Sequence, residues 1–235
     1  MNDQIILLVG TAASLGFIHT LLGVDHYVPF IALSKSLNWS KIKTIWITTL
    51  CGIGHVLSTV LIGVIGIALG LSISKFEAIE NVRGEIAGWL LIAFGIGYTI
   101  YGLIKAKYKH SHIHHHPEEN IIHTHEHNHL SVEHKHIHKE PEKISSWTLF
   151  IIFVFGPCEA LIPVLMIPAA QHSISGLILV ILIFGTATIL TMLVMVLLGL
   201  YGVEILPQKK LEKHIHTLAG LTILLCGIGV QFLGL

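Results

Sequence analysis

Charge is what this sequence has least of. Lys and Arg number 14 and Asp and Glu number 14, so 12% of the 235 residues are charged and the formal net charge is zero. With no basic excess to neutralise phosphates, DNA and RNA are excluded as partners. Cysteine is scarce as well. Cys51, Cys158 and Cys226 each stand in an apolar segment without CxxC spacing, which points away from a disulfide framework and from a zinc ribbon. There is no GxxxxGK[ST] string for ATP. The start, MNDQIILLVG, lacks a basic n-region and a small-residue cleavage site, so the first apolar run is expected to be retained.

What is present is apolar length. Hydrophobic residues make up 53% and mean hydropathy is +0.76, far from the roughly 25% charged composition of soluble domains. Six runs are long enough to span a bilayer, which takes about 20 residues: Ile5–Leu33, Thr44–Leu71, Ile86–Ile104, Trp147–Ala170, Gly176–Val203 and Thr217–Leu235. The first contains Gly10, Gly16, Gly23 and Pro29, and the fourth contains Pro157, Pro163 and Pro168, so both are expected to be broken. Such breaks are tolerated at membrane depth where the freed backbone is buried in protein or lines a cavity.

Lysines set an orientation. Lys35, Lys41, Lys43, Lys105, Lys107, Lys109, Lys135, Lys139, Lys143, Lys209, Lys210 and Lys213 fall in the first, third and fifth connections, against Lys75 and Arg83 on the other side. The positive-inside rule then places both termini outside and the third connection in the cytoplasm.

The chain also resembles itself. AGWLLIAFGIGYTIYGL, Ala87 to Leu103, aligns without gaps on AGLTILLCGIGVQFLGL, Ala219 to Leu235, and a neighbouring offset brings Asp25 opposite Cys158 and His26 opposite Glu159. Three spans per repeat force the halves into opposite orientations, an arrangement that places sites near the bilayer midplane. The expected fold is all-α: six transmembrane helices in two inverted three-helix repeats (1–104 and 147–235) around a disordered histidine-rich loop (105–146).

Two sets of residues carry chemistry. Ionisable groups inside spans cost roughly 2.5–3.5 kcal/mol each on insertion scales, which singles out His19, Asp25, His26, His55 and Glu159. His19 and His26 share a helix face about 10 Å apart, too far for one ion unless the helix unwinds near Gly23. Imidazoles plus a carboxylate suit nickel, cobalt or zinc. Interhelical hydrogen bonding is the plainer role for a buried histidine. Glu159 can be a proton carrier, a ligand or a partner of these histidines; Cys158 is a soft ligand or an ordinary buried thiol. The second set is the loop, where His110, His112, His114, His115, His116, His123, His125, His127, His129, His134, His136 and His138 alternate with other residues. Such a chain captures metal without discriminating, and its imidazoles titrate together near about pH 6.5.

HTLLGVDHYVPF, His19 to Phe30, resembles the histidine-aspartate-histidine signature of nickel/cobalt transporters. Together with the histidine loop, GIGHVLS and GPCEALIP, it makes the chain similar to the exporter-like NicO branch of that superfamily. Five residues separate His19 from Asp25, one more than is usual in the importers. By this resemblance His19, Asp25 and His26 would bind metal. GPCEALIP, Gly156 to Pro163, also resembles the Pro-Cys motif of CcdA/DsbD-type thiol–disulfide carriers, which use one cysteine from each of two inverted repeats; here the counterpart of Cys158 is Asp25. The expectation is therefore a non-enzymatic secondary transporter of nickel or cobalt in the cytoplasmic membrane, export preferred. Its metal is substrate, with no tightly bound cofactor, and its homo-oligomeric state stays open. The alternatives are a thiol–disulfide carrier and a membrane-anchored metal store or chaperone.

Overall fold

The computed structural model describes residues 3–116, 121–128, 141–171, 173–205 and 214–233. Helix α1 (Asp3–Leu22) runs into a 3-10 turn at Val24–His26 and then α2 (Val28–Ser36). They are followed by α3 (Lys41–Ala68), α4 (Ile73–Tyr108), α5 (Pro141–Phe155), α6 (Leu161–Ala170), α7 (Ile174–Glu204) and α8 (Ile215–Ile228), which ends in a π turn at Gly229–Leu233. Between α4 and α5, β1 (Lys109–His116) pairs antiparallel with β2 (Ile121–Asn128), with His110 opposite His127, His112 opposite His125 and His114 opposite His123.

Local chemistry accounts for the boundaries. Ser40 and Ser173 cap α3 and α7 by accepting from the N–H groups of Lys43 (3.2 Å) and Gly176 (3.1 Å). The α3–α4 turn closes with Leu71 N–H on Gly66 O at 2.9 Å, and Gly70 supplies the left-handed residue with φ 64°. At the end of α2, Asn38 (φ 51°) plays the same part, with Trp39 N–H on Ser34 O.

Helices long and apolar enough to cross a membrane cover Ile5–Leu22, Lys41–Ala68, Ile73–Lys107, Ile174–Glu204 and Ile215–Leu233. Among the described residues that is five, where the sequence suggested six. The expected fourth span is two shorter apolar pieces, α5 and α6, separated at Gly156–Ala160. The third span differs as well, because α4 begins at Ile73 rather than near Ile86. Arg83, counted above as a loop cation, is therefore inside a helix and 8% exposed.

Leu57, Leu61 and Ile65 on α3 and Leu182, Leu190 and Leu198 on α7 point outward. So large an apolar exterior has no place in water and fits lipid. Inside, Phe30, Leu149, Phe153, Met192 and Ile223 form one core cluster, and Ala12, Cys158, Leu161, Val180 and Phe184 another. The closest seam is α4 on α8. A Cβ at Gly95 would lie 2.5 Å from Leu224 N, and one at Gly227 would lie 2.8 Å from Ile92 N. Small residues let helix backbones touch in this way, and these are glycines of the two self-similar segments.

Candidate functional site

The break after α1 builds the first half of the site. Gly23 N–H closes on His19 O at 3.0 Å, the backbone then turns extended, and His26 N–H returns to Gly23 O at 3.1 Å. Unwinding brings the His19 and His26 ring centroids to 4.8 Å, less than half the rise of an unbroken helix between them. His55, from the middle of α3, completes the cluster at 5.0 Å from His26 and 6.2 Å from His19.

The orientation of the rings is specific. His26 Nδ1 faces two oxygens, Gly23 O at 3.1 Å and Asp25 Oδ1 at 3.0 Å, and His55 Nδ1 faces Phe153 O at 3.2 Å. Oxygen acceptors require the proton on Nδ1, which leaves Nε2 with a lone pair. Nε2 of His19, His26 and His55 are all buried without a hydrogen-bond partner. One ligand atom from each of the three residues lies within 4.8 Å of the others. A Zn–N bond of about 2.0–2.1 Å implies N···N separations near 3.4 Å in a tetrahedral site, so a bound ion would draw the rings inward by up to about 1.4 Å. Asp25 is adjacent but engaged with the far nitrogen of His26, where it orients the ring.

A cavity of about 20 Å3, lined by residues including Asp25, His55, Phe153 and Gly156, joins this cluster to the second break. That volume holds one water. At the second break α5 stops after Phe155, Pro157 and Cys158 follow in non-helical backbone, and Cys158 is fully buried. The Cys158 N–H donates to Glu80 Oε2 at 3.0 Å. Arg83 donates to Glu80 Oε1, to Thr59 Oγ1 (3.1 Å), to Ser58 Oγ (2.7 Å), and to the carbonyls of Val154 and Gly156 (3.0 Å each). Glu80 is fully buried. Sequence reading passed over this pair because it lay outside the apolar window; the Glu-x-x-Arg spacing on a helical face was the signal available.

The other expected residues lie elsewhere. Glu159 is exposed and outside the histidine cluster. Cys51 and Cys226 pack in the core cluster around Phe30, apart from the cluster that holds Cys158, and all three cysteines are free thiols. His216, at a helix end, contacts Tyr98 Oη (3.1 Å) and Lys105 Nζ (2.8 Å). Of the loop histidines, His129, His134, His136 and His138 lie outside the described residues, and for His110, His112, His114, His115, His116, His123, His125 and His127 only backbone placement is described.

The family described as cytochrome C biogenesis protein transmembrane region matches residues 28–229. The chain belongs to that family. No curated protein and no solved structure matches it. The match overturns the resemblance to NicO nickel/cobalt transporters and with it the expectation of secondary nickel or cobalt transport. The physical reason is visible in where the match falls. His19, Asp25 and His26, which carried that resemblance, precede residue 28, whereas the Pro-Cys segment lies inside the match. A short histidine-aspartate string specifies donors, and donors alone do not specify a fold. Most of the family's matched length is instead membrane helix, in keeping with a multi-pass protein.

Proposed function

We propose that this chain is a membrane carrier of the CcdA/DsbD type that passes reducing equivalents by thiol–disulfide exchange at Cys158. The observation that carries this reading is the position of Cys158 directly after Pro157, at a helix break inside the residues that match the family. In the proposed topology α1–α2 and α5–α6 are broken spans, giving six spans in two inverted repeats. Both termini lie outside and the histidine loop faces the cytoplasm.

Asp25 occupies the counterpart position of Cys158, and the remaining thiols pack in a different cluster. The second sulfur therefore comes from the exchange partners. Cys158 thiolate attacks an acceptor disulfide, forming a mixed disulfide and releasing one acceptor thiolate. A donor dithiol then attacks the Cys158 sulfur, which releases the second acceptor thiolate. The donor's other thiolate closes the donor disulfide and restores the Cys158 thiolate, so two electrons pass from donor to acceptor.

The test is transfer from an impermeant dithiol outside proteoliposomes to an anionic aromatic disulfide trapped inside. Transfer is expected in wild type, Cys51→Ser and Cys226→Ser, and is expected to vanish in Cys158→Ser. Activity that survives Cys158→Ser, or is missing from wild type, sinks the carrier reading.

A second reading rests on the three free Nε2 atoms: the chain holds one transition-metal ion among His19, His26 and His55, as a membrane-anchored store. Three neutral imidazoles suit zinc, cobalt or copper better than magnesium or calcium, which prefer oxygen ligands. Removing residues 110–138 eliminates the loop's own binding. The shortened chain, stripped with chelator and reloaded with zinc or cobalt, should retain about one ion per chain by elemental analysis, and His55→Ala should retain none. If the shortened chain binds nothing, there is no store at this position.

A further inference from the structure

We infer that Glu80 and Arg83 are positioning residues for Cys158: together they clamp the Pro157–Cys158 break of the second half onto α3 and α4 of the first, and hold the thiol enclosed. The inference takes its purpose from the thiol-exchange reading, but its geometry stands without it. Two ionised side chains in an apolar interior are costly unless each is paired and its remaining hydrogen-bond capacity is used. Here the two are paired with each other, and both terminal nitrogens of Arg83 and both oxygens of Glu80 are engaged.

The partners divide by half of the molecule. Ser58 and Thr59 belong to α3, whereas Val154 O, Gly156 O and Cys158 N–H belong to the broken segment. A helix end leaves its last carbonyls without intrahelical partners. Arg83 Nη2 collects two carbonyls at the end of α5, and Glu80 Oε2 takes the N–H that the break frees at Cys158. The pair thus caps the break from both sides. Pro157 closes against α4 at Gly84, where an added Cβ would meet Pro157 Cγ at 3.2 Å.

A fixed joint would be held as well by apolar packing, since hydrophobic replacement of a buried ion pair is often neutral or stabilising. A polar clamp has a different property. Its hydrogen bonds can be exchanged for water when the segment opens, and reformed when it closes. A thiol that is fully buried at rest and must meet a partner's sulfur needs such a joint.

The test uses the full chain with its native cysteines, two of which serve as internal controls. Purified protein is labelled with N-ethylmaleimide and the modification rate at each cysteine is followed by peptide mass spectrometry. Glu80→Gln is nearly isosteric and keeps an acceptor for the Cys158 N–H, so it is the variant chosen to preserve folding; Arg83→Gln and Arg83→Lys complete the set. The expected result is a rise of at least tenfold at Cys158 in Glu80→Gln and Arg83→Gln, a smaller rise in Arg83→Lys, and unchanged rates at Cys51 and Cys226. An equal rise at all three cysteines, or no rise at Cys158, overturns the positioning role. A chain that shows the selective rise yet transfers no reducing equivalents loses the carrier reading and keeps the clamp.

Discussion

Asp25, marked in the sequence as a candidate ligand, is placed by the backbone against the far side of a histidine ring. Its Oδ1 lies 3.0 Å from His26 Nδ1, on the side away from the free Nε2. Residues that fix a ligating imidazole from behind typically contribute about 10–100-fold to metal affinity. Asp25→Asn should therefore weaken zinc binding by that factor in a competition titration while the ion-to-chain ratio at saturation is retained; loss of the ion altogether would make Asp25 a direct ligand. Gly23 is under a tighter constraint, because a Cβ there would lie 2.5 Å from His26 Nδ1. Gly23→Ala should displace that ring and abolish zinc loading at the three histidines, measured by the same elemental analysis as His55→Ala. The histidines were legible in the sequence because they interrupt apolar runs. Glu80 and Arg83 were not, because Glu77, Glu80, Arg83 and Glu85 lower the local hydropathy enough to move the apparent start of the span beyond them.

Helix α4 has 36 residues and is about 54 Å long, well beyond the ~30 Å of a hydrocarbon core. Its length explains both why its first turns read as a loop and why they still reach the second break. Along its other face α4 meets α8 through Gly95, Gly102, Gly220 and Gly227. A larger residue there cannot be absorbed by rotating a neighbouring side chain, since the opposing atoms include backbone. Gly95→Leu should lower the thermal unfolding midpoint in detergent far more than Leu57→Ala on the outward face of α3, and equal shifts would show that the seam is loose. At the α3–α4 turn, Gly70→Ala should cost about 1–2 kcal/mol, because the left-handed conformation is unfavourable for a residue with a Cβ. The position of the first break could be read from Gly23 and Pro29. That of the second could be read from its prolines, but its separation into two short helices depends on contacts with α4 that no local pattern encodes.

At the scale of the molecule, the pattern of apolar runs identified a multi-pass membrane protein built on apolar helices, and the structure and the family agree on that much; the β1–β2 pair between α4 and α5 departs from the all-α expectation. The histidine count pointed to metal cargo and was the weaker guide, because the loop is set apart in sequence from every buried residue considered above. Deleting residues 110–138 should leave the Cys158 modification rate unchanged, and a change larger than twofold would tie the loop to the membrane centre. The Glu80–Arg83 pair has one more consequence, for how the protein is made. Both charges sit on the same helix, three residues apart, so they can neutralise one another as α4 enters the bilayer, long before residues 154–158 leave the ribosome. The guanidinium and carboxylate groups that later meet residues 154–158 are then already in place on the first half when the second half arrives.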